Sequence, residues 1–324
     1  MTIFTLKARF LAGFLISWAL LSGCTTLAPQ TRELKEQRPA GLPTHVELTQ
    51  VPFVPQEDNF CGPSALAMVL NAEGAQLSLD TLIQEVYLPG REGSLQVEML
   101  AAVRRHGFVA YPLAPKFADV LREIAAGTPV VTLENYGFSW YPKWHYSVMI
   151  GYDLDEFEVI RRSGEKARRV VPMGIFEKVW KPGGYWAMVA MPPDRLPVTA
   201  NEIDYATAVA ALEQAGQTKN AAIAYDAMLK RWPDSLAAQI GRGNTAYAAH
   251  DFATAEAAFR RAATDHPDSA AAFNNLAQVL ADQNRLDDAL RTAEHAVSLG
   301  GPLSAEIQAT LNEIRTKMGK KPAN

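Results

Sequence analysis

The stretch Gln56-Glu57-Asp58-Asn59-Phe60-Cys61-Gly62-Pro63-Ser64 opens an apolar run that continues through Leu70. Proline is favoured in the first turn of a helix, where its missing N–H would have no partner in any case. The sequence therefore predicts a helix with Cys61 at its N-terminus. The N–H groups and dipole of a helix start stabilise a thiolate, so Cys61 is a candidate nucleophile. Gly62 would let a bound carbonyl approach without a side chain in the way.

Cysteine usage supports this interpretation. The chain has two cysteines, and Cys24 belongs to a predicted export signal, so no pair remains for a structural disulfide or a Cys-based zinc site. A free thiol in an oxidising compartment is expected to be reactive or deeply buried. The alternative interpretation of Cys61 is a small buried hydrophobic residue. We expect neither a metal nor a cofactor.

The N-terminus has the features of a bacterial lipoprotein signal. A short basic start precedes the apolar residues 10–21 and the sequence Leu21-Ser22-Gly23-Cys24. The apolar stretch is shorter than the roughly 20 residues that a spanning helix needs, which favours a signal peptide over residues 1–23 that is cleaved. Cys24 is then the predicted lipidation site. The alternatives are an ordinary secretory signal and an N-terminal membrane helix. The residue after Cys24 is Thr25 and not Asp, which resembles the pattern of lipoproteins sorted to the outer membrane. We therefore expect the protein to be anchored at the periplasmic face of the outer membrane in preference to the inner membrane.

Composition limits the remaining functions. The formal net charge is −4 and 48% of the residues are hydrophobic, which is ample for buried cores. Basic blocks with interleaved aromatic residues are absent from the sequence, so nucleic acid is not an expected partner. Residues 24–46 are polar and proline-containing and are predicted to form a tether. A domain over residues 47–193 and a second over 202–318 follow, separated by a proline-rich linker.

The second domain has a 34-residue period. Trp-Pro-Asp-Ser at 232–235 recurs as His-Pro-Asp-Ser at 266–269, which indicates the end of one helix and the N-cap of the next. The residues before each copy also align: Ala221, Tyr225 and Met228 match Ala255, Phe259 and Ala262, and a third copy has Ala289, Ala293 and Ala296. The pattern resembles the tetratricopeptide repeat over residues 202–302, with a capping helix at 304–318. Such an all-α solenoid binds a peptide or protein partner; a generic alanine-rich helical bundle is the alternative.

His145 is the second candidate catalytic residue. Residues 128–135 have the pattern of a buried strand, and an aromatic loop leads from there to a second strand that begins at His145. A histidine at the mouth of a strand is well placed to act as a base. Among the six histidines of the sequence, this is the one in such a setting.

Together these motifs resemble the C39-like, papain-type cysteine peptidases of bacteria. That family carries Gln, then Cys-Gly-Pro at a helix start, then a strand of the form His-x-x-Val-x-x-Gly-Tyr-Asp; here these are Gln56, residues 61–63 and residues 145–153. The resemblance covers about residues 47–193. It implies an α+β papain-like domain with an N-terminal helix carrying Cys and an antiparallel sheet carrying His. It also implies that Cys61 attacks a peptide carbonyl, His145 transfers the proton and Gln56 holds the oxyanion.

The residue that orients the imidazole departs from the family pattern. Family members place an Asp on the strand after the histidine strand, but residues 161–164, which a simple hairpin would bring opposite His145, contain no carboxylate. Ser163 is the candidate orienter. A backbone carbonyl, Glu134 or Asp58 is the alternative.

Two nearby carboxylates are assigned a different role. At about 3.3 Å per strand residue, Asp153 and Asp155 would lie some 25 Å from His145. They are therefore expected to form the turn between two strands.

The sequence thus predicts a lipid-anchored cysteine peptidase that hydrolyses peptide bonds in the periplasm through a Cys-His dyad. Its expected partners are a peptide or protein substrate, a protein bound by the repeats, and the membrane through Cys24. A catalytically inactive, peptidase-like binding module is the alternative, supported by the missing carboxylate. Acyl transfer would use the same residues.

Overall fold

A computed structural model of the protein describes residues 28–56 and 59–319. The chain forms two compact units. Of the described residues, those within 28–102, 112–189 and 197–199 form the first, and those within 103–111, 190–196 and 200–319 form the second. The predicted signal peptide, Cys24 and Asp58 lie outside the described residues.

The N-terminal part of the chain is a mixed α/β structure. Its helices are α1 (Pro29–Glu36), α2 (Cys61–Ala72), α3 (Leu79–Val86), α4 (Gln96–Arg105), α5 (Phe117–Ala125) and α6 (Met173–Trp180). Its strands are β1 (His45–Glu47), β2 (Val109–Pro112), β3 (Val130–Asn135), β4 (Trp144–Asp153), β5 (Glu158–Ser163), β6 (Lys166–Pro172) and β7 (Ala187–Met191). The order of elements agrees with the predicted α+β class.

The strands form one seven-stranded sheet in the order β2-β7-β3-β4-β5-β6, with β1 also pairing with β4. The β3–β4 and β4–β5 pairs are antiparallel, and a register shift between Met149 and Gly151 interrupts the second of them. β3 is buried along its whole length, and α2 packs against β3 and β4. This packing brings the N-terminus of α2 to the sheet.

The helix α2 begins at Cys61, as predicted, and every residue from there to Leu70 is buried. A helix that is apolar on all sides belongs in the interior of a domain. Its position is therefore determined by burial on all sides rather than by one amphipathic face.

Part of the predicted tether is folded, which differs from the expectation for residues 24–46. The helix α1 begins with Pro29 in its first turn, and the backbone N–H groups of Gln30 and Thr31 donate to the buried carboxylate of Glu177 at 3.0 and 2.6 Å. β1 adds a short strand to β4. The polar composition of this stretch gave no indication of a helix. The carboxylate that accepts from the first N–H groups of α1 belongs to Glu177 in α6, 146 residues after Thr31.

The second unit is mainly a helical array. Its helices are α7 (Glu202–Gln214), α8 (Thr218–Arg231), α9 (Leu236–Ala248), α10 (Phe252–Asp265), α11 (Ala270–Asp282), α12 (Leu286–Leu299) and α13 (Ser304–Gly319). The serines of the repeated motif cap helices as predicted: Ser235 accepts from Ala238 N and Ser269 from Ala272 N, each at 3.3 Å. Within residues 28–56 and 59–319, none of the helices has the length and hydropathy of a membrane span.

The spacing of small and aromatic residues has a packing reason. A Cβ at Gly241 would collide with the ring of Tyr225, and one at Gly243 would collide with the ring of Phe259. Both glycines lie in α9, and the two rings come from the preceding helix α8 and the following helix α10. Tyr225 and Phe259 themselves lie 34 residues apart, at equivalent positions of successive repeats.

Candidate active site

A cleft with a volume of ≈ 830 Å³ lies where the start of α2 approaches the start of β4. Cys61 and His145 both line it. Its other lining residues are Asn59, 91–96, Leu133, 141–144, Tyr146, Pro182 and Gly183. The two predicted catalytic residues, far apart in the sequence, are therefore brought to one cleft.

Cys61 is a free, buried thiol that is 9% exposed. Burial raises the pKa of this thiol because the thiolate would lose its hydration. Hydrogen bonding by the backbone of Tyr146, Gly62 and Cys61 itself acts in the opposite direction. The donors expected at the helix start are thus present, but burial outweighs them, and the lowered thiol pKa expected from the sequence is not found.

Gly62 is required by the opposite wall of the cleft. A Cβ at this position would lie 2.5 Å from Ser94 Oγ and 2.7 Å from Ser94 Cβ, closer than real Cβ contacts. Glycine is therefore needed for packing within the protein itself, in addition to any approach of a substrate.

His145 lies near the start of β4, and its Nε2 is 2.9 Å from Ser163 Oγ. For Nδ1 to accept a proton, Nε2 must carry the hydrogen and donate it to the serine hydroxyl. Burial lowers the pKa of His145; the charge of Glu134 raises it, and Arg161 and Arg169 lower it further. The imidazole is consequently favoured in its neutral form, which is the form that can act as a base.

Ser163 occupies the predicted place beside His145, although the register of the two strands differs from that of a simple hairpin. The irregularity between Met149 and Gly151 shifts the β4–β5 pairing, so that Arg162 lies opposite Val148. The contact between the two side chains is retained because both lie on one face of the sheet.

Asp153 and Asp155, which we expected to form a turn and not to orient His145, lie at the turn between β4 and β5. Asp153 Oδ1 accepts from the backbone N–H groups of Asp155 and Glu156 at 2.8 and 3.0 Å, which stabilises the turn between β4 and β5.

Gln56 is buried and its amide is fully engaged. Its Oε1 accepts from Gly164 N at 2.6 Å, which identifies the amide oxygen, and its Nε2 donates to Tyr146 O at 3.1 Å and Cys61 O at 3.4 Å. One of these partners is the candidate nucleophile Cys61 itself. The other two are the residues that follow candidate site residues in the chain, since Gly164 follows Ser163 and Tyr146 follows His145. Gln56 thus joins the three segments of the site, and its two amide hydrogens are already used, which differs from the oxyanion role that the resemblance implies.

A buried ionic cluster adjoins the histidine. Glu134 is completely buried, and its carboxylate accepts hydrogen bonds from Arg161, Ser147 and Tyr136, as well as from Thr132 at 3.1 Å. Glu134 was one alternative orienter, but its carboxylate is directed to these donors. The sequence analysis missed Arg161; an arginine within the short strand pattern after the histidine strand was the available signal.

The loop between β3 and β4 is a hydrogen-bonded hairpin that exposes aromatic side chains. Phe138 and Tyr141 exchange backbone hydrogen bonds of 3.0 and 3.1 Å, while the rings of Phe138 and Trp140 stack at 5.6 Å. Trp140 is 80% exposed. Tyr141 and Trp144 line the cleft, so this hairpin forms an apolar part of its wall.

Among residues 28–56 and 59–319, no group of three or more His, Cys, Asp or Glu side chains is arranged to hold a metal ion.

Comparisons with known proteins agree with both parts of the fold. Residues 48–188 match the Peptidase_C39 like family and residues 240–301 match the tetratricopeptide repeat. No curated protein matches the chain.

Three solved structures illustrate the similarity. A Bacillus anthracis protein described as a C39-like peptidase is 21% identical, covering 45% of this chain and 97% of its own, with a TM-score of 0.38. The TPR2B domain of yeast Sti1, in a complex with pHsp70, is 19% identical over 36% of this chain and 97% of its own, with a TM-score of 0.34. Yersinia enterocolitica SycD, in complex with a peptide of YopD, is 17% identical over 35% and 92%, with a TM-score of 0.33. By the family models, residues 48–188 are similar to the C39-like peptidase family and residues 240–301 to tetratricopeptide repeats, which generally bind protein partners.

Proposed function

We propose that the protein is a cysteine peptidase that hydrolyses peptide bonds through a dyad of Cys61 and His145. The observation that carries this proposal is that both side chains line one cleft while the Nε2 of His145 is held by Ser163. The imidazole then has one nitrogen fixed by a hydroxyl and the other available for the thiol. A neutral imidazole beside a neutral thiol is suited to general-base activation of the nucleophile.

In the acylation step, Cys61 Sγ attacks the carbonyl carbon of the scissile peptide bond while His145 accepts the thiol proton. The tetrahedral intermediate collapses as the C–N bond breaks, and His145 protonates the leaving amine. The product amine departs and a thioester joins Cys61 to the acyl part of the substrate. Water then attacks the thioester, with His145 taking its proton and returning it to the thiolate that leaves.

The oxyanion needs donors that are not already used. The first N–H groups of a helix have no partner within the helix, and α2 begins at Cys61. We therefore assign the oxyanion to the backbone N–H groups at the start of α2, where the helix dipole also favours negative charge. Gln56 would support this arrangement by holding the carbonyl of Cys61.

The experiment is a digestion of a proteome-derived peptide library by the purified full chain in detergent, with new N-termini identified by mass spectrometry. Wild type is expected to generate new termini at a restricted set of sequences, and Cys61→Ala and His145→Ala to lose them. Transfer of the acyl group to an added amine, detected as a mass increase at the new C-terminus, would identify acyl transfer in place of hydrolysis.

The inactive binding module is favoured by one observation: the pKa of the Cys61 thiol is raised, and no carboxylate among residues 28–56 and 59–319 is hydrogen-bonded to His145. In that case the wild type would generate no new termini. It would instead retain a subset of the same library on a column, and the retention would not depend on His145.

The location and the anchor are part of the proposal. We infer from the Leu-Ser-Gly-Cys motif that Cys24 is lipidated and holds the protein at the periplasmic face of the outer membrane. The repeats would capture a protein partner or the substrate itself. Mass spectrometry of the N-terminal peptide tests the anchor, with Cys24→Ser as the control: a diacylglycerol adduct on wild type supports it, and an unmodified N-terminus contradicts it.

A further inference from the structure

Glu134 and His145 are register partners on β3 and β4. Directly opposed residues of an antiparallel pair project from the same face of the sheet. The carboxylate is nevertheless bonded to Arg161, from β5, and to the hydroxyl of Tyr136. An ion pair thus lies buried on the face that carries the catalytic candidate, without being bonded to it.

Tyr136 connects this ion pair to the imidazole. Its hydroxyl donates to Glu134, and its ring centroid lies 5.5 Å from that of His145 at an interplanar angle of 56°. The guanidinium groups of Arg161 and Arg169 lie 6.0 and 5.9 Å from the centre of the same ring. Burial and the charge of Glu134 raise the pKa of Tyr136 to about 12, so the phenol keeps its proton and remains a donor at neutral pH. Tyr136 is therefore held by the hydrogen bond of its hydroxyl and by the two guanidinium groups near its ring.

We propose that Tyr136, held by the buried Glu134–Arg161 pair, is a positioning residue that fixes the plane of the His145 imidazole. Ser163 fixes the rotation of the same ring through its hydrogen bond. The two contacts together take the place of the single carboxylate that usually orients the histidine of such a dyad. This inference rests on the proposed role of His145 as the base, but the positioning itself can be measured without activity.

The ion pair also balances the charge that the imidazole experiences. Glu134 favours the protonated imidazole, whereas Arg161 and Arg169 disfavour it. Among the described residues, Tyr136 contacts the imidazole of His145, and the cleft that His145 shares is lined by further ionisable groups: Cys61, Arg91, Glu92, Tyr141, Lys143 and Tyr146. Burial is the main cause of the lowered pKa of His145, and Arg161 and Arg169 offset the opposing charge of the buried Glu134 carboxylate.

The test is NMR titration of the histidine imidazoles in the full chain in detergent, with the His145 signals identified by their loss in His145→Ala. Tyr136→Leu removes the ring, and Tyr136→Phe keeps the ring but loses the hydroxyl. Phe138→Leu is the matched control, because Phe138 belongs to the same hairpin and stacks on Trp140.

In wild type we expect one dominant neutral tautomer of His145, with the hydrogen on Nε2. Tyr136→Leu should raise the minor tautomer at least about threefold, with Tyr136→Phe between the two and Phe138→Leu unchanged. For the charge balance, Glu134→Gln should lower the pKa of His145 and Arg161→Gln should raise it. The double variant leaves no uncompensated buried charge, so it should return the pKa of His145 toward the wild-type value. It also provides the test if either single variant does not fold.

Unchanged His145 signals in Tyr136→Leu would overturn the inference. A variant that loses peptide cleavage while its imidazole signals stay unchanged would overturn it too, because Tyr136 would then act on the substrate. If wild type cleaves no peptide but the tautomer shift is observed, the positioning role holds and only the proposed function fails.

Discussion

The Nε2 atom of His145 lies 2.9 Å from the Oγ of Ser163, across the neighbouring strands β4 and β5. A hydroxyl stands here where the resemblance to C39-like peptidases would lead one to expect a carboxylate. It orients the ring and selects a tautomer, but it supplies no negative charge to stabilise an imidazolium. For the dyad that we propose, this means a base that is positioned without being made more basic.

Removal of this hydroxyl should slow the chemical step. We expect Ser163→Ala to lower kcat for peptide cleavage about fivefold with KM unchanged, since a hydrogen bond contributes about 1 kcal/mol. Ser163→Thr, which keeps the hydroxyl, is the control and should retain most of the activity. Equal losses in both variants would show that packing, and not the hydrogen bond, is responsible.

The reactivity of Cys61 should respond to pH as a buried thiol does. Because burial raises its pKa, the rate of alkylation by iodoacetamide should reach half its maximum above the pH of about 8.5 that is usual for a free thiol. The burial of the neutral thiol stabilises the fold fully below the unfolded pKa, and this contribution is lost as the pH rises through the raised folded pKa.

Mass spectrometry of the Cys61 peptide gives the alkylation rate, and the urea-unfolded protein is the reference for an ordinary thiol. A midpoint below that of the unfolded protein would contradict the prediction and indicate a thiolate–imidazolium pair in the resting protein.

Gln56 should be important for stability as well as for activity. Gln56→Ala leaves Gly164 N–H and the carbonyls of Cys61 and Tyr146 without their partner, and leaving a buried polar group unsatisfied costs about 1–3 kcal/mol. We expect a fall of this size in the free energy of unfolding by urea, together with a loss of cleavage. An amide that served the oxyanion alone would lower kcat and leave the free energy of unfolding unchanged, which is the result that would refute this role.

Substitution of Gly62 should displace the wall of the cleft. In Gly62→Ala the new Cβ overlaps Ser94, and forcing extra volume into a packed site costs about 1–3 kcal/mol. Gly90→Ala is the matched control, because a Cβ there has no neighbour within 4 Å. Both can be compared by thermal unfolding. Ser94→Gly in the Gly62→Ala background should restore stability; if it does not, the contact with Ser94 is not the cause.

Much of the architecture could be predicted from local patterns. The start of α2 at Cys61 follows from the proline in its first turn and the apolar run, and the period of the repeats follows from the recurring Pro-Asp-Ser caps and the regular spacing of small and aromatic residues. The contact between His145 and Ser163 could also be predicted, because strand geometry limits which residues can face each other across a hairpin.

Other features had no local signal. The polar stretch before the first domain gave no sign that α1 would use the carboxylate of Glu177, and the motif around Gln56 gave no sign that its amide would be used by Gly164, Tyr146 and Cys61. Apart from the bond to Cys61, these bonds join residues 90 or more positions apart, so neither periodicity nor spacing can indicate them.

The sequence by itself determined which residue types stand at the helix start, at the strand mouth and in the repeats, and therefore the fold class and the candidate dyad. Only the tertiary structure decided the electrostatic state of that dyad. Burial raises the pKa of Cys61 and lowers that of His145, while Glu134 and Arg161 oppose each other beside the imidazole. The physical reason is that desolvation and charge pairing depend on distances between strands and helices, and these exist only once the chain has folded.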